Sequence, residues 1–374
     1  MTMLRSLARR ASFTCLLGLT LTLSMLARSA PAPLDHWQQA VRASPYWISQ
    51  GAFANLMTLR RWVLTGSGYC ADKDRHLLFD RRATFLGYFS NPGGGAANQA
   101  QLNHQRQALA AEGKVTQWSP GAERRAGYPF ALSCDQPDAR LDLALQRYTG
   151  AVPEARLWGT WNGLRVGRRD GSVSLHTALL EVYRARSAAN RISLPEEVLS
   201  TLAGKVLIES GGRPRAHSAA GAKGIMQLSP AVLGDCGLAE RHHFHRLAQI
   251  DCAFALLEHN HRLLEADFKA TFGHLPTAKA DQLYAYLLLQ AYHGGVGRVR
   301  ALLTDPELNG AARYFAEHAK RFSAGDIALG MVYHNLGRNR LGFASLYYVV
   351  DVGIAKAVAC RALADLPGCE PPGH

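Results

Sequence analysis

The chain has 374 residues, seven cysteines and a formal net charge of +13 at pH 7. That length suits two domains rather than one. The basic balance fits an anionic polymer as partner, and no nucleic-acid-binding motif accompanies it, so no nucleic-acid partner is expected. Neither a CxxC pair nor a Cys/His zinc spacing occurs, and no metal or other cofactor is expected either.

Arg5, Arg9 and Arg10 precede an apolar run from Cys15 to Ala27 that is short for a bilayer span. Residues 1–32 therefore read as a secretory signal, and a periplasmic location follows as an expectation. Cys15 has no lipobox before it, and an uncleaved membrane tether is the alternative. Without the leader's Arg5, Arg9, Arg10 and Arg28 the formal charge is +9. The six cysteines left are an even set in an exported chain, which points to disulfides. Their sequence-local grouping favours Cys70–Cys134, Cys236–Cys252 and Cys360–Cys369 among the alternatives.

Residues 33–170 are rich in glycine and aromatics and read as a mixed domain of strands, loops and a few helices, with no recognisable role. Apolar runs at 77–79 and 83–89 mark strands. The triple glycine Gly93-Gly94-Gly95 lacks the Gly-Lys-Ser/Thr ending of a phosphate loop and reads as a turn. Trp158 and Trp161 offer a platform for a sugar ring, although packing is the commoner use of such residues.

Beyond Gly171 the apolar spacing turns helical, with helices expected over 175–190, 193–210, 250–268, 279–292, 296–303, 311–320 and 342–364. The chain as a whole reads as α+β, with an all-α C-terminal domain over 171–365 and a tail at 366–374. Arg241-His242-His243-Phe244-His245 has no carboxylate or cysteine at ligand spacing and reads as a solvated basic patch. The 193–210 helix opens with Ser193 and Glu196 at capping-box spacing and Pro195 in the first turn, and Gly211-Gly212 ends it. Glu209 falls in its last turn, where the negative end of the helix dipole disfavours a carboxylate anion. An acid that keeps its proton near neutral pH is what general acid catalysis asks for.

From Glu209-Ser210 through Pro214, Ala216, Ser218, Ala220-Gly221-Ala222 and Gly224 to Met226-Gln227-Leu228, the sequence resembles the signature of the soluble lytic transglycosylase and goose-type lysozyme families. A second family signature is matched in register by Ala291-Tyr292-His293-Gly294-Gly295-Val296-Gly297-Arg298-Val299, with His293 where the family has Asn. A third, whose Tyr approaches the catalytic Glu, is degraded to Tyr347-Tyr348-Val349; Tyr348 takes the role and Tyr347 is the fallback. The resemblance implies a lysozyme-like fold acting on peptidoglycan glycan strands, possible cell-envelope partners aside. It makes Glu209 the catalytic acid and then base, and makes Ser210, Ser218, Met226, Gln227, Tyr292, His293 and Tyr348 substrate-side residues. Glycosidases usually need a second carboxylate, and Asp235, Asp251 and Asp351 are the candidates, none at a recognised position. The family dispenses with one by using the sugar's own 2-acetamido and 6-hydroxyl groups, which implies a 1,6-anhydro product. A hydrolytic muramidase and a catalytically weak peptidoglycan-binding module are the alternatives.

Overall fold

The computed structural model describes residues 140–369 apart from 197, 219 and 336, together with 75–79, 85–90, 130–133 and helical residues within 53–61 and 101–113. The leader, the Cys70–Cys134 pairing and the triple glycine lie outside the described residues. Residues 35–374 make one compact unit.

The early strands form an antiparallel sheet in the order β2-β1-β3: β1 (Arg75–Phe79) pairs with β2 (Phe85–Ser90) on one edge and β3 (Phe130–Ser133) on the other. Then come α1 (Leu141–Thr149) and a hairpin of β4 (Gly159–Trp161) and β5 (Leu164–Val166). The remainder is helical: α2 (Leu175–Ala188), α3 (Val198–Glu209), α4 (Pro230–Asp235), α5 (Arg246–Phe272), α6 (Thr277–Gly294), α7 (Val296–Thr304), α8 (Gly310–Glu317), α9 (Ala324–Tyr333) and α10 (Phe343–Ala362). An all-helical C-terminal domain in a chain that also carries strands is what the sequence led one to expect. The short α1 and α4 and the glycine-bearing α9 are additions, since each is too brief or too uniformly apolar to show a periodic stripe.

Local chemistry accounts for most boundaries. Ser174 caps α2 by accepting from Thr177 N–H, and Ser323 and Asp326 form a capping box on α9. α3 departs from expectation, beginning at Val198 rather than 193. Ser193 does not pair with Glu196; its N–H and hydroxyl go to the Glu258 carboxylate on α5, a stronger charge-assisted partner. The Arg241–His245 stretch is likewise more than a solvated patch. His245 caps α5 through Nδ1, and buried His243 bonds the Leu238 carbonyl and Lys223 Nζ.

α3 is the central strut. Its Val198, Leu199, Leu202, Ala203, Val206 and Leu207 are all buried, each worth about 1.5–3 kcal/mol of apolar transfer for the larger side chains. Gly204 lets α10 come unusually close: a Cβ there would lie 2.5 Å from the Val352 carbonyl oxygen and 2.8 Å from Lys356 N. α1 precedes residue 171 yet packs on the end of α3, where Arg147 Nη1 donates to the Gly211 carbonyl at 3.2 Å. Two buried ion pairs pin other elements: Arg186 on α2 to Asp251 on α5, and Arg60 to Asp351 on α10. The Cys236–Cys252 disulfide joins α5 to the end of α4, and Cys360–Cys369 closes the C-terminus of α10.

Candidate functional site

Glu209 is the last residue of α3, and its side chain keeps 22% exposure. Ser210 follows in the turn but does not face outward. Its hydroxyl donates to the Ile225 carbonyl at 2.8 Å and accepts from Gly212 N–H at 3.1 Å, and the residue is 1% exposed. Met226, expected as a sugar-facing wall, is fully buried. Both are therefore parts of the scaffold under the site, because their polar or apolar atoms are already claimed by the protein interior.

The segment 211–228 folds back on the helix end by backbone geometry that its residues make possible. Gly211, Gly212, Gly221 and Gly224 all have positive φ. At Gly224 a side chain is excluded twice, by φ of +72° and by a hypothetical Cβ inside the Gln249 amide. Gln249 comes from α5 and stitches the loop: its Oε1 accepts from Met226 N–H at 3.0 Å and its Nε2 donates to the Lys223 and His243 carbonyls. Gln227 has φ of 47°, and its amide turns back to the Gly224 carbonyl at 2.9 Å. Ser218 Oγ accepts from Ala222 N–H at 3.0 Å, closing the loop's outer turn. Gln227 and Ser218 stay half-buried at the edge of the site.

The second motif supplies the opposite wall. Tyr292, near the end of α6, donates its hydroxyl to the Met226 carbonyl at 3.2 Å. His293 is exposed and stacks on Tyr348 with ring centroids 4.1 Å apart. Desolvation lowers the His293 pKa, Glu209 pulls the other way, and Lys205 and Arg298 add to the lowering. Tyr348 reaches across from α10 and donates to Glu209 Oε1 at 2.7 Å. Burial first, then the Glu209 carboxylate, pushes the Tyr348 hydroxyl well above its ordinary value; Tyr292 is raised for the same two reasons. Both are hydrogen-bond donors at any working pH. Tyr347, the fallback, points elsewhere, with the Arg60 guanidinium 4.4 Å from its ring centre.

The sequence reading missed Lys205. One helical turn before Glu209, fully buried, its Nζ lies 3.8 Å from Glu209 Oε1, donates to the Met226 carbonyl at 2.7 Å and sits 3.9 Å from the centre of the Tyr292 ring. The i, i+4 spacing from Glu209 was the available signal. Burial pulls the Lys205 ammonium down to about 8, while Glu209 holds it up.

The three candidate second carboxylates fare differently from Glu209. Asp251 takes a two-point contact from Arg186, at 2.5 Å from Nε and 2.6 Å from Nη2. Asp351 is buried and doubly bonded by Arg60, and burial raises its pKa while Arg60 lowers it. Asp235 is exposed at the end of α4. Among the described residues no group of three or more His, Cys, Asp or Glu is arranged to hold a metal ion. Trp158 is 53% exposed, while Trp161 packs against His242 and His245 and borders a cavity of about 330 Å³ with Arg186, Asp251 and the Cys236–Cys252 disulfide. That cavity shares no lining residue with the Glu209 cluster.

Residues 185–307, about a third of the chain, match the family described as the transglycosylase SLT domain. The match agrees with the resemblance seen in the sequence and makes this segment similar to SLT domains. Glu209, the loop to Leu228 and the Tyr292 motif lie within the match; Tyr348 and all of α10 lie beyond it. No curated protein matches the chain.

Proposed function

We propose that this protein is a peptidoglycan lytic transglycosylase that cleaves the β-1,4 bond between N-acetylmuramic acid and N-acetylglucosamine and leaves a 1,6-anhydro-N-acetylmuramic acid end. Glu209 gives its proton to the bridging oxygen as the bond from that oxygen to C1 of the muramyl sugar breaks. The N-acetylglucosamine departs with a free 4-hydroxyl, and the 2-acetamido group steadies the positive charge left at C1. The 6-hydroxyl oxygen of the same muramyl residue then bonds to C1 and yields its proton to the Glu209 carboxylate, which restores the acid. No water is consumed. Gln227, Ser218 and His293 orient the sugar at the mouth of the site, and Tyr348 fixes the carboxyl rotamer. The basic chain and its leader fit an exported enzyme that works on the anionic wall polymer in the periplasm.

The observation that carries this reading is the contrast among carboxyl groups: Glu209 is partly exposed with a hydroxyl donor on Oε1, Asp251 and Asp351 are bound by arginines, and Asp235, though exposed, stands on a separate helix, α4. A hydrolase of the same fold needs a free carboxylate to activate water, and the tethered 6-hydroxyl has the advantage of high effective concentration. Mass spectrometry of purified sacculi after digestion tests it. Muropeptides one water lighter than lysozyme products and without a reducible end are expected; mainly reducing ends would make the protein a muramidase, and no release at all would make it a binding module.

A further inference from the structure

Lys205 has no part in the chemistry just described, yet it is the only lysine among the described residues buried to 0% exposure. A buried ammonium is costly unless something else gains from it. Apart from the face of the Tyr292 ring, 3.9 Å from Nζ, its local partners do not call for a cation. The Met226 carbonyl already accepts from the Tyr292 hydroxyl, and an apolar side chain would fill the position between α3, α6 and the loop. What only a cation supplies is charge beside Glu209 Oε1, on the carboxyl oxygen that also takes the Tyr348 hydrogen bond.

We propose that Lys205 is a positioning residue that stabilises the Glu209 carboxylate once its proton has been given to the leaving sugar. The inference rests on Glu209 being that acid. Before proton transfer Lys205 faces a neutral carboxyl; afterwards it faces an anion at the same place, and the attraction is therefore larger after transfer than before.

Other groups surround the pair. On α6 and α7 they are Tyr292, His293 and Arg298, of which Arg298 lowers the His293 pKa. From α10 come Tyr348 and Asp351, the latter neutralised by Arg60, and Lys356, which borders with Lys205 and Asp281 a cavity of about 370 Å³. From α1 and the loop, Arg147 and Arg213 are engaged with the Gly211 and Ser210 carbonyls. Among the described residues, Lys205 is the cation that pairs with Glu209.

The test compares turnover of solubilised glycan strands for wild type, Lys205→Met and the polar neutral Lys205→Gln. Both variants are expected to fold, since Met226 keeps its Tyr292 donor and a desolvated charge is removed. Turnover should fall about three- to tenfold while half-saturation stays within about twofold. Half-saturation that rises in step with the fall in turnover, or turnover that does not fall, would overturn the proposal and leave Lys205 as a packing residue. A second measurement needs no substitution at 205: NMR titration of the Lys205 side-chain ammonium in wild type and in Glu209→Gln. Its midpoint, about 8 in wild type, should drop when the anion is removed. An unchanged midpoint would overturn the coupling even where the Lys205 variants fail to fold. Activity surviving in Glu209→Gln would instead overturn the acid assignment, so the two failures are distinguishable.

Discussion

The loop 209–228 and the helix α10 meet at the same carboxyl group, and they carry opposite densities of sequence pattern. The loop is nearly all motif, but the motif residues Ser210, Gly224 and Met226 face inward and serve backbone geometry. α10 retains only a Tyr-Val remnant and lies outside the matched segment, yet it delivers the 2.7 Å hydrogen bond to Glu209. A dense motif therefore marks where the main chain is most constrained, with positive φ at Gly221 and Gly224 and buried donors to satisfy. Direct contact with the reactive group asks for one hydroxyl at one distance, and many sequences can provide it.

The largest expected effect is at the meeting point itself. Glu209→Gln keeps the shape and removes the transferable proton, so release from sacculi should fall by about 10²–10⁴-fold while folding is preserved; a loss under tenfold would remove Glu209 from the mechanism.

Glycine-to-alanine changes then weigh the two regions against each other. Gly224→Ala sets a Cβ against the Gln249 amide at a positive φ, and Gly204→Ala sets one against the α10 backbone. Each should destabilise by about 2–4 kcal/mol in urea unfolding. Only Gly204→Ala should also push α10 outward, so its residual folded fraction should show reduced turnover through the lost Tyr348 contact. Equal specific activity in both folded variants would mean that α10 does not act through this crossing.

Tyr348→Phe removes a single hydroxyl from the same contact. A hydrogen bond to a charged group is worth about 1.5–3 kcal/mol, which corresponds to a fall in turnover of about 10- to 100-fold with little change in half-saturation. Tyr347→Phe, beneath Arg60, should leave turnover alone. Reversal of that order would shift the role to Tyr347.

The smallest effect belongs to His293. With its pKa below 6.5, it is neutral at pH 7 and takes up a proton only on the acid side of that value. Glycan affinity of wild type should change as pH falls below 6.5, and that of His293→Asn should not. At pH 7 the two should agree within about twofold. A flat wild-type curve between pH 4.5 and about 6.5 would leave His293 as a stacking residue for Tyr348 alone.

Much of this site was legible from residues 193–299 because its determinants are short-ranged. The helical spacing of Leu199, Leu202 and Val206 and the double glycine after Ser210 placed Glu209 at a helix end, as α3 bears out. The mature local cysteine couples Cys236–Cys252 and Cys360–Cys369 formed as their spacing implied. The capping box at Ser193 failed for the opposite reason: Glu258, sixty-five residues on, competes for the same donors, and local spacing carries no trace of it. Likewise nothing local distinguishes Asp251 or Asp351 from a free carboxylate until Arg186 and Arg60 are folded against them.

By itself, then, the sequence determined a helical domain, the acid at the end of one helix, and the glycine-rich return beneath it, since periodicity, capping and positive φ act within a few residues. Tertiary structure decided that Tyr348, the tyrosine preferred from the sequence, reaches the acid, and it alone decided that Lys205 stands charged and dry behind it. Those outcomes depend on how closely α3 and α10 cross at Gly204 and on what α6 lays over Lys205, and interhelical distances of that kind are set by the packing of the whole core.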